Sequence, residues 1–121
     1  MHVQFSELPV FDQDRAKTFY IDHFDCRIVA DRAMGKDGWR WIELKFAGAE
    51  TTLHFYRRKD ETPSAEPILV LVDTEVEATI KKLKSRGVEI VSEPHKAPWQ
   101  PERTVAEFRD SEGNRIVIGS R

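Results

Sequence analysis

The chain has 121 residues, 40% of them hydrophobic, with 19 Lys and Arg against 21 Asp and Glu and a formal charge of -2. This composition excludes a disordered chain, and at this length a core forms without disulfide or metal, so one domain over residues 1–121 is expected. The charge argues against nucleic acid, whose backbone is bound through an excess of basic side chains, and the longest strongly apolar stretch, Pro67 to Val72, is too short to span a bilayer.

Met1 to Phe11 lacks the basic and apolar regions of a secretory signal, so a cytoplasmic protein is expected. In chain order, Val3 to Val10 reads as a strand. Asp12 caps a helix whose apolar positions Ala16, Phe19, Tyr20 and Phe24 follow helical spacing. The lone Cys26 reads as a small packed side chain. Three strands follow, Arg27 to Ala33, Trp39 to Phe46 and Thr51 to Tyr56, before a charged linker, 59–65, flanked by strand-end cations such as Arg57.

The same order then returns. Ile68 to Val72 is a strand, and Thr74 with Glu77 forms a capping box. Val76, Ile80 and Leu83 lie on one helical stripe that Gly87 ends. Strands at Val88 to Ser92, Thr104 to Arg109 and Arg115 to Ile118 complete the second half. An offset of 62 carries Val10 to Val72, Asp12 to Thr74, Ala16 to Ala78 and Ile28 to Ile90, and one more residue carries Leu53 to Ile116. The chain therefore reads as two βαβββ modules, about 1–58 and 66–121.

With Val10-Phe11-Asp12, Arg15-Ala16, Phe19-Tyr20, Val72-Asp73, Gly87-Val88 and the turn Phe108-Arg109-Asp110-Ser111-Glu112-Gly113-Asn114, the sequence resembles the vicinal-oxygen-chelate superfamily of glyoxalases, bleomycin-resistance proteins and extradiol dioxygenases. The resemblance spans nearly the whole chain and departs at Asp25, where Gly is usual, and at Ser111 and Glu112 in the turn. It implies an α+β fold in which the two modules form a curved mixed sheet around a cavity, and a homodimer. Family enzymes hold a divalent metal with His, Gln or Glu from the first and last strand of each module. Carried over by spacing, those positions fall on Phe5, His54, Pro67 and Val117. Only His54 can ligate, and a slip of one residue offers Gln4 or Glu66 but nothing at Val117, so no metal and no cofactor are expected.

A turn at Ala47-Gly48-Ala49-Glu50 sets Glu43 opposite His54 and sorts the hairpin into two faces. Ile42, Leu44, Phe46, Leu53 and Phe55 pack under the helix, while Trp41, Glu43, His54 and Tyr56 share the other face. By resemblance that second face lines a ligand cavity, joined by Phe5, Phe108 and Val117 and by Trp99 and Arg103 from a long loop, 96–103. The bland alternative is a solvated Glu-His pair and aromatics that meet a second subunit. The leading expectation is a metal-free protein that binds a small organic molecule, aromatic or cationic, as bleomycin-resistance proteins do by sequestration. The alternatives are a metal-independent lyase or isomerase with Glu43 and His54 as its catalytic pair, a metal-dependent enzyme in another alignment, and an interaction module.

Overall fold

The computed structural model describes Met1–Arg121, and the chain divides into two compact units, Met1–Glu61 and Thr62–Arg121. In the first, β1 (Phe5–Val10), α1 (Gln13–Phe24), β2 (Arg27–Ala33), β3 (Arg40–Lys45) and β4 (Thr52–Arg57) form a four-stranded sheet in the order β1-β4-β3-β2. In the second, β5 (Pro67–Val72), α2 (Val76–Ser85), β6 (Ile90–Ala97), β7 (Gln100–Arg109) and β8 (Arg115–Gly119) repeat it as β5-β8-β7-β6. Each sheet is mixed. The first and last strands of a module run parallel, and the other neighbours are antiparallel. The α+β fold of two βαβββ modules is thus the one expected.

Asp12 begins α1 as its periodicity predicts, its carboxylate accepting the amide of Arg15 at 3.0 Å. Asp25 ends the helix with a φ of 53°, the left-handed conformation for which Gly is usual and which Asp tolerates. The second helix starts differently from the expected capping box. Its N-cap is Glu75, which makes no side-chain capping bond. Asp73 does the local work instead, accepting the Glu75 amide at 2.9 Å and the Thr79 hydroxyl. The acidic side chain two residues before the N-cap thus serves the first turn in place of the Thr74 hydroxyl. Gly87, with a φ of 82°, ends α2, and the amide of Val88 closes back onto the Leu83 carbonyl.

The expected long loop at 96–103 is mostly strand. β6 and β7 form an extended hairpin that turns at Pro98 and Trp99 only, because register shifts along the pair let it absorb the prolines Pro94 and Pro101. In the first module Leu8, Val10, Ile42, Leu44, Leu53 and Phe55 are buried together with Ala16, Phe19 and Tyr20 of α1. In the second, Ala106, Phe108, Ile116 and Ile118 are buried with Val76, Ile80 and Leu83 of α2. Each helix covers one face of its own sheet, and the alternation of the strands leaves the other face for something else.

Polar contacts fasten α1 to its sheet. The Gln13 amide donates to the Arg40 carbonyl at 2.6 Å and accepts the Arg40 amide at 3.0 Å. The Arg40 guanidinium donates to Asp31 at 2.8 Å and to Asp14 at 2.7 Å, while Lys17 reaches Asp31 at 2.9 Å. Hydrogen bonding from Arg40, then from Lys17, holds the Asp31 carboxyl below its ordinary range. A carboxyl lowered in the folded state contributes stability above its unfolded pKa, and this is lost as pH falls through the folded value. Asp31→Asn should therefore lower the urea midpoint at pH 7, and the difference from the parent should shrink as pH falls below the ordinary Asp range and through the lowered folded value.

Burial, with a smaller contribution from Asp25, pushes the Cys26 thiol up to about 12, and its side chain is buried. A disulfide reagent at pH 8 should modify the native protein only as fast as it unfolds, and at full speed in denaturant.

Candidate ligand site on the open face of the first sheet

The face of the first sheet turned away from α1 is set by register. Phe5 lies beside Thr52, Glu7 beside His54, Glu43 beside His54 on the other flank, Ala30 beside Glu43 and Arg32 beside Trp41. Register partners point to the same side of a sheet, so these side chains form one continuous surface across four strands.

Its centre is aromatic. The Trp41 and His54 rings are tilted by 31° with centroids 3.8 Å apart, and Phe5 stands 5.1 Å from His54 and edge-on to Trp41 at 5.9 Å. Such packing favours offset and edge contacts and makes a rigid platform. Glu43 locks it. One carboxylate oxygen accepts the Trp41 indole N–H at 2.9 Å and the other accepts the Thr52 hydroxyl at 2.9 Å.

The expected Glu43-His54 pair is therefore not made, although the two residues are in register. Both Glu43 oxygens are committed elsewhere, and His54 Nδ1 lies 2.8 Å from Glu7 Oε2. Glu7 is not evident from the hairpin pattern because β4 is a central strand with two neighbours. The hairpin reveals only β3, whereas the parallel pairing with β1 crosses 47 residues. Alternation along β1 was the available signal, since it places Glu7 on the same side as Phe5.

Beside this platform a groove of about 460 Å³ opens toward β2, lined by Val29, Ala30, Arg32, Met34, Trp41 and Glu43, with Ala33 at its edge. A bulge at Val29 interrupts the pairing of β2 with β3 and brings Val29 into the wall next to Ala30. The neighbouring loop between β2 and β3 is anchored away from the lining. Asp37 accepts the Trp39 amide at 3.0 Å and the Arg57 guanidinium at 2.7 Å, and Arg57 sits 5.3 Å over the Trp39 ring. Arg57 is thus more than the solvated strand-end charge that the sequence suggests.

The remaining candidates are elsewhere. Tyr56 is exposed beyond His54 on β4. In the second module, Phe108 is 0% exposed, which corrects its assignment to a cavity wall. It pairs with Ile116, so it cannot share a face with Val117, and it belongs to the core under α2. Trp99 stands at the hairpin tip, 69% exposed. Arg103 lies over Gly119, where a Cβ would meet its guanidinium at 2.7 Å, and donates to the Ser120 carbonyl at 2.6 Å. It braces the end of β8.

The donor set does not fit the family's metal. No group of three or more His, Cys, Asp or Glu is placed to hold an ion, and Phe5 fills one of the expected ligand positions beside His54.

The profile of the Glyoxalase/Bleomycin resistance protein/Dioxygenase superfamily matches residues 2–118. The chain belongs to that superfamily. It is 33% identical to the uncharacterized protein YetH of Bacillus subtilis (strain 168) over 111 residues, covering 90% of this chain and 89% of that protein. Among solved structures it is similar to TnmS3, an antibiotic binding protein from Streptomyces sp. CB03234, at 32% identity and a TM-score of 0.81, covering 99% and 95% of the two chains. A superfamily member from Sphaerobacter thermophilus DSM 20745, at 22% identity and a TM-score of 0.85 over 100% and 98%, shares the fold. No helix is long and apolar enough to cross a membrane.

Glu43→Ala would leave the Trp41 N–H and the Thr52 hydroxyl without their acceptor, at a cost of about 1–3 kcal/mol. Near-UV circular dichroism of that variant should lose tryptophan intensity while the far-UV spectrum is unchanged.

Proposed function

We propose that this chain binds a small planar organic molecule in the groove beside Trp41 and holds it without turnover. The observation that carries this reading is an indole fixed by Glu43 on the floor of an apolar-walled groove, with a volume in the range typical of small-molecule sites. Val29, Met34 and the Ala30 methyl group supply apolar walls, and Trp41 supplies a flat surface whose geometry costs no ordering when a ligand arrives. The relation to a protein described as antibiotic binding supports the same reading. Phe5 and His54 serve as the support that keeps Trp41 in place.

A second reading rests on the Glu7-His54 contact. A carboxylate on Nδ1 orients the ring and leaves Nε2 as a proton acceptor, the arrangement of a metal-independent lyase or isomerase base. No buried side-chain nitrogen or oxygen lacks a partner, so the remaining ring nitrogen is open to solvent or ligand.

Calorimetric titration with 2-naphthalenemethanol separates the proposal from a merely structural platform. Saturable binding below millimolar concentration is expected, weakened at least ten-fold in Trp41→Ala and unchanged in Trp39→Phe. Absence of heat up to millimolar probe overturns the binding reading. A His54→Ala variant that still binds the probe but loses an activity on it would favour the second reading.

A further inference from the structure

Several cations of the first module are paired. Arg40 and Lys17 meet Asp31, Arg57 meets Asp37 and Arg15 meets Glu61. Arg32 is different. It is exposed, has no hydrogen bond or ion pair, and is the only cation lining the groove, directly across from Trp41 in the β2–β3 register. The other charged group there is Glu43, and both of its oxygens already accept hydrogen bonds from Trp41 and Thr52.

We infer that the groove selects an acidic aromatic ligand, with its ring laid against Trp41 and its carboxylate, or an equally acidic ring oxygen, gripped by the Arg32 guanidinium. This inference rests on the binding reading above and names the ligand class for that site. The polar directionality left in the groove is that of a donor. Arg32 offers a planar fork of N–H groups that matches a carboxylate in a bidentate fashion, whereas Glu43 is already engaged by the indole N–H and the Thr52 hydroxyl. His54 covers the β4 side of Trp41, so a ring enters from the β2 side, and entry from there brings a ring substituent to Arg32. The arrangement reverses the expectation of a cationic partner. A ligand ammonium would meet the like charge of the unpaired guanidinium, which lies across from Trp41.

Three probes with one ring system decide the matter by calorimetry on the full chain: 2-naphthoate, 2-naphthalenemethanol and 2-naphthylmethylammonium. The acid should bind about ten-fold or more tightly than the alcohol, and the ammonium more weakly than either. Arg32→Gln should abolish the preference of the acid over the alcohol, and Arg32→Lys should retain part of it. Because Arg32 is exposed and makes no contact that holds the fold, both variants should match the parent in thermal midpoint. Equal affinities for acid and alcohol, tighter binding of the ammonium, or an acid preference that survives in Arg32→Gln would overturn the inference while leaving the groove a binding site. If none of the three binds, the groove reading itself fails and takes the inference with it.

Discussion

The indole of Trp41 is held from two directions, and the character of the open face follows from that. Glu43 takes its N–H, and the His54 ring lies against it at 3.8 Å. Both partners are themselves held, because Thr52 donates to the second oxygen of Glu43 and Glu7 meets Nδ1 of His54. A half-buried polar network of this kind rigidifies its members when every donor has an acceptor. What results is a flat apolar surface presented by a sheet, a more exact support than a loop provides.

The scaffold below the platform is as constrained. Gln13 clips the first turn of α1 to the backbone of Arg40, the residue before Trp41, and Arg40 in turn ties Asp31 on β2 to Asp14 on the helix. The wall of the groove is therefore connected to the core through β2, β3 and α1 at once. The second module repeats the strand order but carries different chemistry on the corresponding face, where Arg115 is bonded to Glu107 at 2.5 Å and Val70 and Val72 are exposed. One duplicated fold thus supports an aromatic platform in one copy and an aliphatic and ionic surface in the other, as expected when function lies in grafted side chains rather than in the scaffold.

Local pattern made much of this legible. The alternation in Trp41 to Phe55 sorted core from open face, the Glu43-His54 register was read from a single turn, and Asp12 and Gly87 marked helix ends. Distant partners and register shifts lie outside local pattern. Glu7 meets a residue 47 positions away, and the 96–103 segment is mostly strand because register shifts accommodate its prolines, while Phe108 faces the core because it pairs with Ile116 rather than Val117. The bulge at Val29 belongs to the same class, since nothing in Ile28-Val29-Ala30 distinguishes it from a regular strand.

What the sequence by itself determined is the element order, the duplication, the superfamily and which hairpin face is apolar, because these depend on spacing within a few residues and on motifs that recur at a fixed offset. Only the tertiary structure decided who pairs with whom on the open face. The parallel β1–β4 contact joins residues 47 apart, and it gave His54 to Glu7, left Glu43 to hold Trp41, and so made Arg32 the donor that faces the groove. Hydrogen-bond capacity is finite, and its allocation among competing neighbours is settled only when all the neighbours are in place.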